Sequence, residues 1–261
     1  MVARRWSCSA KIVSMTVSLP GWNHSTFTHA DVTHETYRKG NGPAVIVVHE
    51  IPGITPKVLD FAERVVAQGF TVIMPLLVGE VGREPSGGYI ASSMSKICIS
   101  SEFTTMAMHK TSPIISWLRA LAQQIHAEVG GVGVGAVGMC FSGGFALGMM
   151  VDDIMVAPVL SQPSMPFAVG AKRSADLNLS PSDEARIVER AQAGCQVLGL
   201  RYTGDKLVGT RFDSLRKLLG DAFVAVEFNS STKQDHSVLT EQIQEEGVTR
   251  VLEFLKSKLL K

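Results

Sequence analysis

The segment 132–144, Val-Gly-Val-Gly-Ala-Val-Gly-Met-Cys-Phe-Ser-Gly-Gly, constrains this chain more than any other stretch. Val132, Val134, Val137 and Met139 read as a short buried strand, residues 138–142 as a sharp turn, and residues 143–150 as the first turns of a helix. A strand, a tight turn and a helix in that order, with small residues two positions either side of a nucleophile, lift that side chain above the end of a parallel sheet. Here the lifted group is the thiol of Cys140. Small residues at 138 and 142 are required because the turn brings strand and helix backbones together around a strained nucleophile. The helix that follows points its free N–H groups towards the sulfur, which favours the attacking thiolate.

Three plainer readings compete with this one. A cysteine in an apolar run is commonly just a packed side chain. Gly133-x-Gly135-x-x-Gly138 also matches a dinucleotide-binding fingerprint, but that motif follows a strand, whereas these glycines alternate with the valines that form it. A redox-sensing thiol needs only exposure and a low pKa, and has no need of a distant Asp and His.

Composition bounds the function classes. With 261 residues, 45% of them hydrophobic and 19% charged, the chain is expected to be a soluble globular protein with one large core. A net charge of +1 gives no field to recruit nucleic acid or an anionic membrane, and no apolar run reaches spanning length. Residues 1–15 carry Arg4, Arg5 and Lys11 but lack the apolar core of a secretion signal. Residues 1–30 are therefore expected to be a partly disordered extension, or in their first part sequence upstream of a start at Met15, and residues 31–261 a single domain. Cys8, Cys98, Cys140 and Cys195 are widely spaced without CxxC pairs, against a zinc site or a disulfide framework. A reducing cytoplasm, no metal and no cofactor are the corresponding expectations, for a monomer or small homo-oligomer.

Taken in order, the chain alternates strands and helices. The histidines at 24, 29 and 34 recur every five residues, the wrong spacing for one helical face, so a solvated loop or edge strand is expected there, with residues 32–38 as an edge strand. Residues 44–48 are continuously apolar, as a central parallel strand should be, and His49, Glu50, Ile51, Pro52 and Gly53 follow at its carboxyl end, where open α/β sheets bind ligands. Thr55 and Pro56 read as N-cap and first position of a helix that Gly69 stops. Residues 70–74 form the next strand, and residues 79–96, rich in Gly and Ser, read as a long loop over the same edge. Residues 102–128 carry a helical pattern broken near Pro113. After the turn at Cys140, strands are expected at 154–157, 196–202 and 223–228, helices at 182–193, 212–219 and 239–260, and a loop at 160–181. The pattern implies an α/β fold, a doubly wound and mostly parallel sheet with helices on both faces.

Cys140, Asp205 and His236 each follow a strand, in the order nucleophile, acid, histidine of the α/β-hydrolases. Singly, Asp205 in Thr-Gly-Asp-Lys reads as a turn residue and His236 as a surface histidine. Together, in that order, they point to nucleophilic catalysis.

At His49-Glu50-Ile51-Pro52-Gly53, Gly138-Met139-Cys140-Phe141-Ser142-Gly143-Gly144, Thr203-Gly204-Asp205 and Asp235-His236-Ser237 the chain resembles the dienelactone hydrolase family, cysteine members of the α/β-hydrolase fold. The resemblance runs from about residue 44 to the C-terminus. It implies Cys140 as nucleophile, His236 as base and acid, Asp205 as the group orienting His236, and Glu50 as the glutamate that interacts with the resting thiol and helps to release the thiolate.

Physical chemistry gives those residues the same work. A thiol with a pKa near ~8.5 is mostly neutral at pH 7, so a neighbouring imidazole would activate it. Attack on an ester or lactone carbonyl builds an oxyanion that the backbone N–H groups of Phe141 and Ile51 could bind, each such donor contributing about 2.7–4 kcal/mol. Glu50 read alone is as easily a salt-bridge or amide partner, and His49 faces the other side of its strand. Dienelactone-cleaving members hold a substrate carboxylate with arginines. Here His236 is followed by Ser-Val-Leu-Thr, and Arg83 is the candidate for the other cation. The expected activity is cofactor-independent hydrolysis of a small-molecule ester or lactone. The alternatives are a carboxylesterase or thioesterase of the same fold, or a non-catalytic binding protein that kept the pocket.

Overall fold

The computed structural model describes residues 19–103 and 109–260. Its centre is a sheet in the order β1-β2-β4-β3-β5-β6-β7-β8, built from β1 (Asn23–His29), β2 (Val32–Lys39), β3 (Ala44–Val48), β4 (Thr71–Leu76), β5 (Val134–Met139), β6 (Met155–Ser161), β7 (Val197–Tyr202) and β8 (Phe223–Phe228). β1 with β2 and β2 with β4 pair antiparallel, and the remaining neighbours pair parallel. This is the doubly wound, mostly parallel arrangement expected from the alternation of elements.

The continuous apolar run of β3 is explained by its place. All five residues are buried, and they alternate between two cores. Ala44, Ile46 and Val48 face one core, shared with α3 (Pro113–Val129), α4 (Phe145–Met149) and α7 (Arg211–Leu219). Val45 and Val47 face the other, shared with α1 (Pro56–Val66) and α8 (Glu245–Leu259). The two-residue period of a strand turns one apolar run into two cores. α1 begins as the sequence indicates, with the Thr55 hydroxyl accepting the N–H of Val58 and Pro56 in the first turn.

Several boundaries differ from the sequence reading. β2 is not the sheet edge, because β1 pairs outside it; the extension assigned to residues 1–30 thus includes a strand, while residues 1–18, with Cys8 and Met15, lie outside the described residues. The stretch 79–96 is not all loop. α2 (Gly87–Ile99) starts at the Ser86 cap and buries Tyr89, Ser93 and Ile97, one side chain per turn. Gly87 and Gly88 and four serines between 91 and 100 mask that stripe, since these are weak helix formers. α5 (Gly170–Ala175) interrupts the expected loop at 160–181, and α6 (Pro181–Gln192) follows it. The helical pattern drawn from 102 begins only at Pro113, with residues 104–108 outside the described set, and the one drawn from 239 begins at Glu245. Among the described residues no helix is long and apolar enough to cross a membrane.

Candidate active site

β3, β5, β6 and β7 end on one edge of the sheet, and the candidate residues gather there. β5 stops at Met139, and Cys140 takes φ +55°, a left-handed conformation that costs a side-chain-bearing residue energy. The surroundings hold it there. A Cβ on residue 138 would sit 2.2 Å from the carbonyl oxygen of Ser142, so glycine is obligatory at 138. A Cβ on residue 143 would sit 2.6 Å from Pro163 Cα. Ser142 does more than stay small. Its Oγ accepts the Met139 N–H at 2.9 Å and lies 3.0 Å and 3.1 Å from the carbonyl oxygens of Val48 and His49, tying the turn to the end of β3.

The helix after the turn is shorter than the sequence pattern suggests. Residues Cys140–Ser142 form a 3-10 turn and α4 spans only five residues, so the helix dipole contributes less here than a long helix would. The N–H of Phe141 belongs to the first turn of that 3-10 segment, where backbone donors have no partner within the helix. Ile51 follows β3 on the same edge and is half-buried.

Asp205 and His236 meet although both lie outside regular elements. The Nδ1–H of His236 donates to Asp205 Oδ2 at 2.6 Å, and Asp205 Oδ1 accepts the N–H of Leu207 at 2.9 Å. The Nε2 of His236 is buried and makes no hydrogen bond of full geometry, and Cys140 is in electrostatic range of the ring. Burial alone would lower the His236 pKa. The charge of the Cys140 sulfur and the hydrogen bond to Asp205 outweigh it and push the imidazole up to about 11. The loop carrying His236 is held by Gln242, whose Oε1 accepts the N–H groups of His236 and Ser237 at 3.3 Å and 2.9 Å.

Glu50 is buried behind this pair, 3% exposed. Its Oε2 accepts the hydroxyl of Ser237 at 2.7 Å and the amide of Gln162 at 3.2 Å, and its Oε1 accepts the hydroxyl of Thr240. Burial raises its pKa, and the hydroxyls of Thr240 and Ser237 oppose that rise. The structure thus ties Glu50 to the histidine loop through two hydroxyls, Ser237 and Thr240, and to the end of β6 through the Gln162 amide. His49, next to it, is fully buried and serves the backbone: Nδ1 lies 2.7 Å from the carbonyl of Glu50, and Nε2 accepts the N–H of Leu77 at 3.0 Å. Arg83 lies on the loop after β4, paired with Glu80 at 2.6 Å and stacked 4.2 Å from the centre of the Tyr89 ring.

From sequence, Ser142 reads only as a small residue and Ser237 only as part of a motif, and Gln162 and Thr240 are not singled out. Ser237 lay in view beside His236, but nothing in the local pattern marks Gln162 or Thr240, whose partner is on a different strand end. Among the described residues no three His, Cys, Asp or Glu side chains are grouped to hold a metal ion. His24 pairs with Glu35 and His34 with Glu102.

Residues 31–257 match the model of the dienelactone hydrolase family. Among solved structures, the chain is similar to a dienelactone hydrolase from Anabaena variabilis ATCC 29413 (TM-score 0.62, 13% identity, covering 91% of this chain and 98% of that one). It is also similar to a cold-adapted esterase from an Arctic intertidal metagenomic library (0.58, 15%, 90% and 93%). A third is a Xanthomonas campestris α/β serine hydrolase without lid (0.57, 13%, 93% and 97%). At such identities the structural likeness carries the fold. No curated protein matches the chain significantly.

Proposed function

Because the chain belongs to the dienelactone hydrolase family, and is an ester-bond hydrolase on that ground, we propose that it opens esters or lactones through a Cys140-His236-Asp205 triad and a thioester intermediate. The observation that carries this reading is His236, with Asp205 on Nδ1 and its buried, unpartnered Nε2 in range of the Cys140 sulfur. An imidazole held in that way takes the thiol proton and carries it until the leaving oxygen needs it.

The sulfur of Cys140 attacks the carbonyl carbon, and the carbonyl electron pair moves to oxygen. The N–H groups of Phe141 and Ile51 face the resulting oxyanion. As the oxyanion collapses, the carbon–oxygen bond to the alcohol breaks, and that oxygen takes the proton from His236 Nε2, leaving a thioester on Cys140. A water then attacks the thioester while His236 takes one of its protons, and the acid leaves as the sulfur is released. For a lactone, alcohol and acid are one ring-opened molecule.

Glu50 has the thiol-activating role in this scheme. Burial raises its pKa and the charge of His236 bears on its carboxylate, so it supports the imidazolium that forms as His236 takes the thiol proton. Arg83 is the candidate cation for a substrate carboxylate, and in this structure it is exposed, pairs with Glu80 and stacks on Tyr89. Cys98, Cys140 and Cys195 are free thiols, and a nucleophilic sulfur suits a reducing compartment such as the cytoplasm.

The test is hydrolysis of a short-chain p-nitrophenyl ester and of a lactone panel including dienelactone, by wild type, Cys140→Ala and His236→Ala. Both variants should lose activity while keeping the fold, and intact-mass spectrometry should show an acyl adduct on wild type alone. Undiminished turnover by Cys140→Ala would remove the sulfur from the mechanism.

A further inference from the structure

The geometry points to Gln162 as a positioning residue that holds the Glu50 carboxylate in register with the histidine loop and the nucleophile turn. Gln162 follows β6, is fully buried, and takes φ +36°, a strained backbone conformation for a residue with a side chain. Such strain persists only where the surroundings over-determine it, and here they do. The backbone N–H of Gln162 donates to the carbonyl of Leu200 at 2.7 Å, and its carbonyl accepts the hydroxyl of Ser164 at 2.8 Å. The N–H of Ser164 in turn donates to the carbonyl of Cys140 at 3.0 Å.

The side chain reaches the other two parts of the site. Its Oε1 accepts the hydroxyl of Ser161 and, at 3.4 Å, the N–H of Val238, two residues after His236. Both partners donate, so the amide can face only one way, with Nε2 donating to Glu50 Oε2 at 3.2 Å. One side chain therefore joins the ends of β3 and β6 to the loop of His236, while its neighbour Ser164 grips the carbonyl of Cys140. The charged groups bearing on Glu50 are His236 and Glu241, so the position of the Glu50 carboxylate matters to the imidazole as well.

This inference rests on Cys140 and His236 as the reacting pair, and its test has a readout independent of turnover. Gln162→Glu keeps shape and the acceptor for Val238 but replaces the donor facing Glu50. Gln162→Met removes both polar ends, and circular dichroism reports the fold of each. The readouts are the iodoacetamide alkylation rate of Cys140, resolved by peptide mass spectrometry, and kcat and KM on a p-nitrophenyl ester. Losing one hydrogen bond to a carboxylate should lower the alkylation rate and kcat about tenfold, with KM changed less than about twofold.

Two signatures separate positioning from simple stability. In Gln162→Glu a proton shared between the two carboxyls rebuilds the hydrogen bond at low pH, so the deficit should deepen as pH rises. In a Glu50→Gln background, Gln162→Glu should change either rate by less than about twofold, since the group it acts through is gone. Folded Gln162 variants that alkylate like wild type would overturn the inference, as would effects that multiply in the double variant. If wild type is inert towards esters and lactones the proposed function fails, while the alkylation cycle still decides the role of Gln162.

Discussion

His49 and His236 are both withdrawn from solvent on the same edge of the sheet, and they end in opposite states. His49 has burial as its largest influence, which pulls it down to about 4, and its ring nitrogens face a backbone carbonyl and a backbone N–H. His236 meets the same burial penalty, yet the Cys140 sulfur and the Asp205 carboxylate push it up to about 11. Burial removes charge unless a partner of opposite sign is buried with it. The first histidine is a neutral strut that joins the end of β3 to the end of β4. The second is a charged group placed against the Cys140 sulfur and the Asp205 carboxylate.

The largest way to break this contrast is to strip His236 of its acid. Asp205→Asn should lower kcat by roughly three to four orders of magnitude on a p-nitrophenyl ester and drop the His236 pKa in an NMR imidazole titration, because the amide favours the wrong tautomer. An activity within tenfold of wild type would remove Asp205 from the triad.

Next comes acid. The pKa of His49 is depressed on folding from 6.5 to about 4, so between those values the unfolded chain binds the extra proton. The stability due to its neutral form is complete above about pH 6.5 and is lost as pH falls towards 4, by up to about 3 kcal/mol. His236 works with the opposite sign: its contribution is complete below 6.5 and is lost progressively as pH rises towards about 11. Denaturant melts at pH 7, 5.5 and 4.5 should fall steadily in wild type. His49→Leu should flatten that acid slope, and an unchanged slope would mean that the loss originates elsewhere.

At constant neutral pH the same substitution should cost about 1–3 kcal/mol, since the buried N–H of Leu77 loses its acceptor. The His236 titration should hardly move in this variant, and a shift above half a unit would show that the two histidines are coupled. The smallest effect is expected for Ser142→Ala, roughly 1 kcal/mol from the lost tie between the nucleophile turn and β3, with activity reduced less than by Asp205→Asn. Thermal melts of the two variants side by side give that order directly.

How much of this was legible beforehand divides along chain separation. The strand β3, the Thr55 cap and the turn at Cys140 could be read from residues next to one another, because strand period, capping and turn strain are local physics. α2 was hidden by its glycines and serines, although Tyr89, Ser93 and Ile97 carried its four-residue stripe. The shortness of α4 was likewise invisible, since only packing decides where an apolar helix stops.

The sequence by itself determined the alternation of strands and helices, the family, and which three side chains stand at strand ends. Tertiary structure alone decided what the neighbours of those side chains do. Glu50 meets Ser237, which is 187 positions away, Thr240 at 190 and Gln162 at 112, and no local pattern encodes such meetings. Nor does the letter His distinguish residue 49 from residue 236. The charge a buried ring carries is set by the balance of desolvation against the groups facing it, and which groups face it exists only once the chain has closed on itself.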